Sequence, residues 1–585
     1  MDRSTSSHVV QRRRALAVCC GLIFLHAILL GWSAVRNSVT VDEYAHLPAG
    51  AVYWKYREFA IYNLSPPLLR FWAAAPVMLA GAQVPSAVNL RDEAPSSRHW
   101  LYAERFQDDN AARYQHLFVL ARLGMIPISC WSAWVVFQWA LTLYGPRGAI
   151  GACAMYCLDP NFIAHASLVT TDAGTAAATL TAAWLWWRFC RRNNSGALMF
   201  AAAFGIAAAV LCKFTGLLIL PTVVLIGIAF VLHQRKFLRR LLLGMFVVIA
   251  VLFVSINFVY AYKRTFLPLS DYQFVSGSMQ TAAKVLPSWL PVPLPYSFVE
   301  GFDVQKWETD AGVPGYLLDQ YYIGSRWYYY PITLSCKLPV ISLLILGITI
   351  LSFFVRRMRF HESMVLIAIV VFAWGTAVLG QMNIGIRHIL PVLPFAYVLS
   401  GRVWRAMDRA MVTMLPVILV LAIETISAGP NFLAFFNRAV GGPQRGQFIL
   451  NDSNCDWGQG LIALRDWLGK NNIHHVTMAY FGRVDPAVYG ISATPLVNGQ
   501  IDSDYVVVSS RFIAGLPYRM RRNADEFTPW MRLRDVSTWR ALKPVAVVDD
   551  IMRIYRKRDV EPLIMDQTPL FVPATPTATT HAAAP

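Results

Sequence analysis

Blocks of about 18–22 consecutive apolar residues recur along the chain, Leu16 to Ser33 and Met245 to Tyr262 among them; each is long enough to cross roughly 30 Å of hydrocarbon as a helix. Inside a bilayer the backbone amides must bond to one another, and helices do this segment by segment. Composition points the same way: 56 % of the 585 residues are hydrophobic and only 15 % charged, too little to coat a soluble protein of this length. The expected fold class is an all-α polytopic membrane bundle of about eleven transmembrane helices with a small C-terminal α/β soluble domain.

The net charge of +18 would suit a nucleic-acid binder by number alone. Its placement argues against one. The basic residues stand in short clusters between apolar blocks: Arg12–Arg14, Arg188/Arg191/Arg192, Arg235/Lys236/Arg239/Arg240, Arg356/Arg357/Arg359 and Arg402/Arg405/Arg409. Such clusters hold connecting loops on the cytoplasmic side, whereas nucleic acid needs a broad basic soluble face. The nine cysteines are scattered, with no metal-ligand or disulfide spacing. The first apolar block follows a basic segment but is long and lacks a small-x-small site, so it reads as an uncleaved first helix.

With the N-terminus inside, the first helix leads out near Arg36. Residues 37–115 form a polar outer loop carrying a short apolar run, Pro66 to Ala82, suited to the interface. Helices are expected at about 116–143, 148–166, 171–190, 197–213, 215–232 and 241–262, then a second outer segment at 263–330. Further helices are expected at about 331–355, 362–380, 388–402 and 410–428, completing a membrane domain over 1–430. Every basic cluster then falls inside. From 431 to 560, strand-like runs at Val476–Phe481, Tyr505–Ser510 and Pro544–Tyr555 alternate with a helical pattern at Gly460–Leu468. The remainder, 561–585, ends in Pro, Thr and Ala and is expected to be disordered.

Ionisable residues near membrane depth are functional candidates by default, and here they collect at the outer side. Asp42 and Glu43 follow the first helix, His165 and Asp172 bracket a tight connection in DPNFIAHASLVTTD, Lys213 lies in CKFTG, and Arg387 and His388 lie in NIGIRH. Taken singly, each could be a helix cap or a satisfied polar residue. Together, carboxylates facing Lys and Arg could serve as a base beside an anion site, the acid orienting an acceptor proton and the cations steadying a phosphate leaving group. The aromatic run Tyr321–Tyr322 and Trp327–Tyr330 suits stacking on a sugar or seating at the interface equally well.

The string TVDEYAHLPAG, followed by NLSPPLLRFWAAAP, resembles the first outer loop of GT-C glycosyltransferases, closest to the bacterial branch related to protein O-mannosyltransferases and aminoarabinose transferases of lipid A. Further matches, in the order expected, are PNFIAHASLVTTD, KFTG, YYIGSRWYYYPITLSCKLP, NIGIRHILPVLPF and NDSNCDWGQGL. The resemblance implies a bundle whose lipid-level cavity opens to the periplasm or lumen. It also implies a polyprenyl-phosphate-linked sugar donor and inverting transfer to a protein, lipid or glycan acceptor. The location it implies is the cell inner membrane, with the C-terminal domain periplasmic. Asp42 takes the base or acceptor-orienting position and Glu43 the adjacent acidic one. Lys213, Arg387 and His388 match polar positions lining the cavity, with a role toward the donor phosphate, and His46, His165, Asp172, Tyr328 and Tyr329 would contact substrate. Relatives carry an acidic residue and then His or Lys before the Pro-Pro, where this chain has Leu64–Ser65; Arg70, one helical turn on, would supply a charge. No metal is expected to be required, although Asp42 and Glu43 could hold a divalent ion. Two other classes compete: a transporter, against which stands the lack of an internal repeat, and a GT-C-fold binding protein with impaired catalysis.

Overall fold

The apolar blocks are helices in the computed structural model, which describes residues 3–87, 97–192, 195–407, 410–496, 500–516, 531–533, 536–565 and 571–573. The membrane portion contains α1 (Arg3–Arg36), α2 (Val41–Tyr56), α3 (Leu68–Leu79), α4 (Arg98–Asp109), α5 (Tyr114–Cys157), α6 (Pro160–Ala166), α7 (Asp172–Arg191), α8 (Gly196–Cys212), α9 (Ile219–His233) and α10 (Leu238–Val259). After the second polar segment, with α11 (Gly277–Val285) and α12 (Tyr296–Ala311), come α13 (Tyr329–Lys337), α14 (Val340–Val355), α15 (Phe360–Trp374), α16 (Val392–Ala406) and α17 (Ala410–Ser427). Among the described residues, five stretches are long and apolar enough to cross a membrane: Val9–Arg36, Ala111–Cys157, Phe214–His233, Arg235–Val259 and Phe360–Val378. Shorter apolar helices, Gly196–Cys212, Val340–Val355 and Val412–Ser427, lie beside them.

Two predicted helices are broken where local chemistry demands it. The division expected between 143 and 148 is present: α5 is two helices joined at Gly145, whose φ of 79° favours glycine. The second of them stops at Cys157, and Asp159 caps a new short helix, its carboxylate accepting the Asn161 N–H at 2.9 Å and the Tyr397 hydroxyl at 2.6 Å. The helix expected at 331–355 is divided at Leu338–Pro339, since a proline cannot donate the amide that would continue the run. The helix expected from 388 starts at Val392.

α5 is the central post, with α1, α7, α3 and α16 packed on it. Small residues let two of these backbones meet: a Cβ on Gly148 would stand 2.7 Å from the Gly401 carbonyl oxygen, so α5 and α16 touch directly. α2, α3 and α4 form a cover at one end of the bundle. α12 lies on this cover, with Gly301 pressed against the backbone of Asn63.

Beyond residue 430 a five-stranded mixed sheet runs in the order Ala493–Pro495, Val476–Ala479, Tyr505–Ser509, Met552–Arg556, Ala546–Val548. The first three strands are parallel, and Met552–Arg556 is antiparallel to both its neighbours, with Ile554 opposite Val507. The single run expected at 544–555 is thus a hairpin, folded at Asp549 and Asp550, both at positive φ. A helix, Lys557–Met565, continues past residue 560, where the domain was expected to end. The expectation of a disordered tail falls outside the described residues, apart from that helix and Phe571–Pro573, which pairs with Met531–Leu533.

Candidate active site

The site begins where α1 ends. Thr40 starts α2, and Glu43, three residues on, closes a capping box by accepting the Thr40 N–H at 3.1 Å and hydroxyl at 3.0 Å. The same carboxylate accepts the Val169 N–H at 2.8 Å and two bonds from Arg122, at 2.8 Å and 2.6 Å. Arg122 in turn donates to the carbonyls of Ala34, Asn37 and Ser38, and both side chains are fully buried. Glu43 is therefore the knot that ties α1, α2, α5 and the loop before α7 together. It does not face the space that Asp42 faces.

Asp42 points the other way, a quarter exposed, and pairs with Arg387. The Arg387 guanidinium lies over the Trp457 ring at 4.4 Å. Both partners are positioned by the motif NDSNCDWGQG. On one flank, Ser453 donates its hydroxyl to the Ile384 carbonyl at 2.5 Å, and the Asn454 side chain accepts the Ile386 N–H at 2.9 Å. On the other, the Trp457 carbonyl accepts the Val41 N–H, and the Gln459 carbonyl the Ser38 N–H, each at 2.9 Å. One strap from the C-terminal domain thus holds the acid-bearing turn and the arginine-bearing turn in register.

A second pair stands alongside. Lys213, in the break between α8 and α9, donates to Asp172 at the start of α7 at 2.7 Å. Asp172 is within electrostatic reach of Arg387, His388 and His165 as well, and the His165 ring meets Trp457 edge to face at 6.1 Å. Three buried polar atoms here lack a hydrogen-bond partner: Arg387 Nε, His388 Nε2 and His165 Nδ1. Buried polar groups are usually satisfied, and these three stand beside two acid–cation pairs where a polar guest would find partners.

Other candidates go elsewhere. Arg70 is buried and spent on its own loop, donating to His46 Nδ1 at 3.0 Å, the Tyr53 hydroxyl and Tyr62 carbonyl at 2.8 Å, and Ser65 Oγ at 2.6 Å, with Tyr62 stacked 3.8 Å away. It locks the turn carrying Leu64–Ser65. Burial, reinforced by the Arg70 charge, holds His46 well below the usual histidine pKa, so it is a neutral acceptor. Tyr329 is buried with its hydroxyl accepting from Asn454 at 2.9 Å, and Tyr328 accepts from Arg326 at 2.7 Å. Among the described residues no group of three or more His, Cys, Asp or Glu could hold a metal ion.

Sequence reasoning missed Arg122, Trp457 and Asn454 as organisers, and also Glu308. Glu308 on α12 stands near Tyr62, whose electrostatic surroundings include both Asp42 and Glu308. Burial pushes its carboxyl up to about 7. Asp456, inside the strap, is raised likewise to about 7 by burial, against the amides and hydroxyls that bind it. A carboxyl whose folded pKa lies above its unfolded value keeps its stabilising proton at low pH and gives it up as pH rises. The protein should therefore lose thermal stability between about pH 4 and 7, and Asp456→Asn should flatten that slope in melts recorded in detergent from pH 5 to 8. Parallel slopes for parent and variant would refute the assignment.

Part of the chain is similar to a known protein family. Residues 116–260 match the family described as dolichyl-phosphate-mannose-protein mannosyltransferase, a segment that carries His165, Asp172 and Lys213. No curated protein sequence matches significantly. Among solved structures the chain is similar to ArnT from Cupriavidus metallidurans bound to undecaprenyl phosphate, with a TM-score of 0.46 and 12 % identity over 86 % of this chain and 96 % of that one. It is also similar to the archaeal oligosaccharyltransferase AglB from Archaeoglobus fulgidus in complex with an inhibitory peptide and a dolichol-phosphate, with a TM-score of 0.46 and 12 % identity over 91 % and 75 %.

Proposed function

We propose that this protein transfers a sugar, with inversion, from a polyprenyl-phosphate donor to an acceptor on the outer, periplasmic face of the inner membrane. The observation that carries the reading is the meeting of Asp42 with Arg387, next to Asp172–Lys213 and three unsatisfied buried nitrogens. In this reading the acceptor hydroxyl bonds to the Asp42 carboxylate, which takes its proton as the acceptor oxygen attacks the anomeric carbon. The bond from that carbon to the phosphate oxygen breaks, and its electron pair leaves with the polyprenyl phosphate. Arg387 and Lys213 meet the charge gathering there, in a site dry enough to make their attraction count. A single in-line displacement inverts the anomeric centre. Glu43, Arg122 and Arg70 act through the scaffold.

The test uses the full-length protein in detergent with a polyprenyl-phosphate-linked sugar and a membrane extract as acceptor source. Release of polyprenyl phosphate with transfer of label to the extract is the expected result. Donor that stays intact, or sugar that crosses a vesicle wall unchanged, overturns the proposal.

A further inference from the structure

We propose that the opposite end of the bundle holds a second binding site, for a phosphate-bearing anion. A cavity of about 360 Å³ lies there, lined by Arg12 of α1, Trp134 and Gln138 of α5, and Trp184, Arg188 and Arg191 of α7, with Trp187 and Arg192 beside them. α7 begins at Asp172 in the candidate active site, and Arg188 and Arg191 come near its last turn. At 1.5 Å per residue that is about 24–29 Å away along the helix, so the two sites are separate.

The lining has the chemistry of an anion receptor. Four arginines line it, and among the described residues no carboxylate pairs with Arg12, Arg188, Arg191 or Arg192. Planar guanidinium forks match phosphate oxygens two at a time. Two are already aimed by aromatic faces: Arg188 lies 4.6 Å from the Trp184 ring and Arg191 5.2 Å from Trp187. Trp184, only 8 % exposed, has an indole N–H with no hydrogen-bond partner. Orientation of helices by positive loops accounts for arginines at helix ends. It does not call for a cavity lined by tryptophans together with a buried, unsatisfied indole donor. Anionic lipid headgroups and soluble phosphate esters share the recognised chemistry; the cavity's place at the ends of apolar helices favours the headgroup.

The experiment adds phosphatidylglycerol, phosphatidylcholine or glycerol phosphate to the full-length protein in detergent and counts bound molecules by native mass spectrometry. The expected result is retention of phosphatidylglycerol over phosphatidylcholine, reduced about tenfold or more in the double variant Arg188→Gln/Arg191→Gln. Arg356→Gln/Arg357→Gln, which removes the same charge outside the cavity, should leave retention unchanged. Binding of glycerol phosphate at comparable strength would keep the site and assign it to soluble phosphate. Equal retention of both lipids, or equal loss in the two double variants, overturns the proposal. Trp184→Phe, which removes the indole N–H and shrinks the ring under Arg188, should lower retention; unaltered retention would count against the indole as a ligand.

Discussion

Asp42→Asn should lower the rate of polyprenyl phosphate release by about 10²–10⁴-fold, the usual worth of a positioned general base, with no more than a modest drop in melting temperature. The two halves of this expectation come from the same geometry. Asparagine keeps the shape of the side chain and still accepts from Arg387 through its amide oxygen, and Arg387 keeps its seat on Trp457. The ion pair that is lost is largely buried, with Arg387 9 % and Asp42 25 % exposed, so a modest drop in melting temperature accompanies the change. What disappears is the capacity to take the acceptor's proton. Undiminished release by a folded Asp42→Asn protein would remove Asp42 from the chemistry.

The second large effect belongs to the neighbouring residue and has the opposite character. Arg122→Ala should destabilise the protein by about 3–5 kcal/mol, the cost of leaving a buried charge without its partner. Glu43 would then sit fully buried, short of two of its five hydrogen bonds, and the carbonyls of Ala34, Asn37 and Ser38 would each lose a donor. Glu43→Gln should be destabilising in the same direction, since its amide nitrogen would face donors. Thermal melts in detergent, read alongside release rates normalised to folded protein, separate the two acids. A Glu43→Gln variant that melts like the parent but fails in turnover would show that Glu43 does chemistry.

Adjacent in sequence, Asp42 and Glu43 were indistinguishable on paper, and the reason is physical. Successive side chains on a helix start leave about 100° apart, and which direction is core depends on what arrives from elsewhere. Here the arrivals are Arg122, 79 positions on, and Arg387, 345 positions on. Arg122 is hidden inside an apolar stretch that reads simply as a membrane helix. Long apolar runs were legible because the bilayer imposes one solution on them. The interruptions at Leu158–Asp159 and Leu338–Pro339 were not, because each is only a few residues long inside an apolar stretch, and hydropathy averaged over a span hides them. The NDSNCDWGQG string stood out as a motif, yet nothing in its spacing revealed that its serine, asparagine and tryptophan grip the turn at 384–387. Arg70 was visible as a charge, and only its five partners in the first loop disclose that it is occupied.

The strap also sets an order for biogenesis. Glu43 can find Arg122 as soon as the start of α5 has been synthesised, so the first two helices and the loop between them can be fastened early. Asp42 has to wait until Arg387 exists, and the turn bearing Arg387 is secured only when Asn454 and Trp457 follow. For most of translation the chain therefore has a finished frame and an unassembled centre. A chain ending before residue 451 would lack Asn454 and Trp457, and the turn bearing Arg387 would be without these anchors beside Asp42.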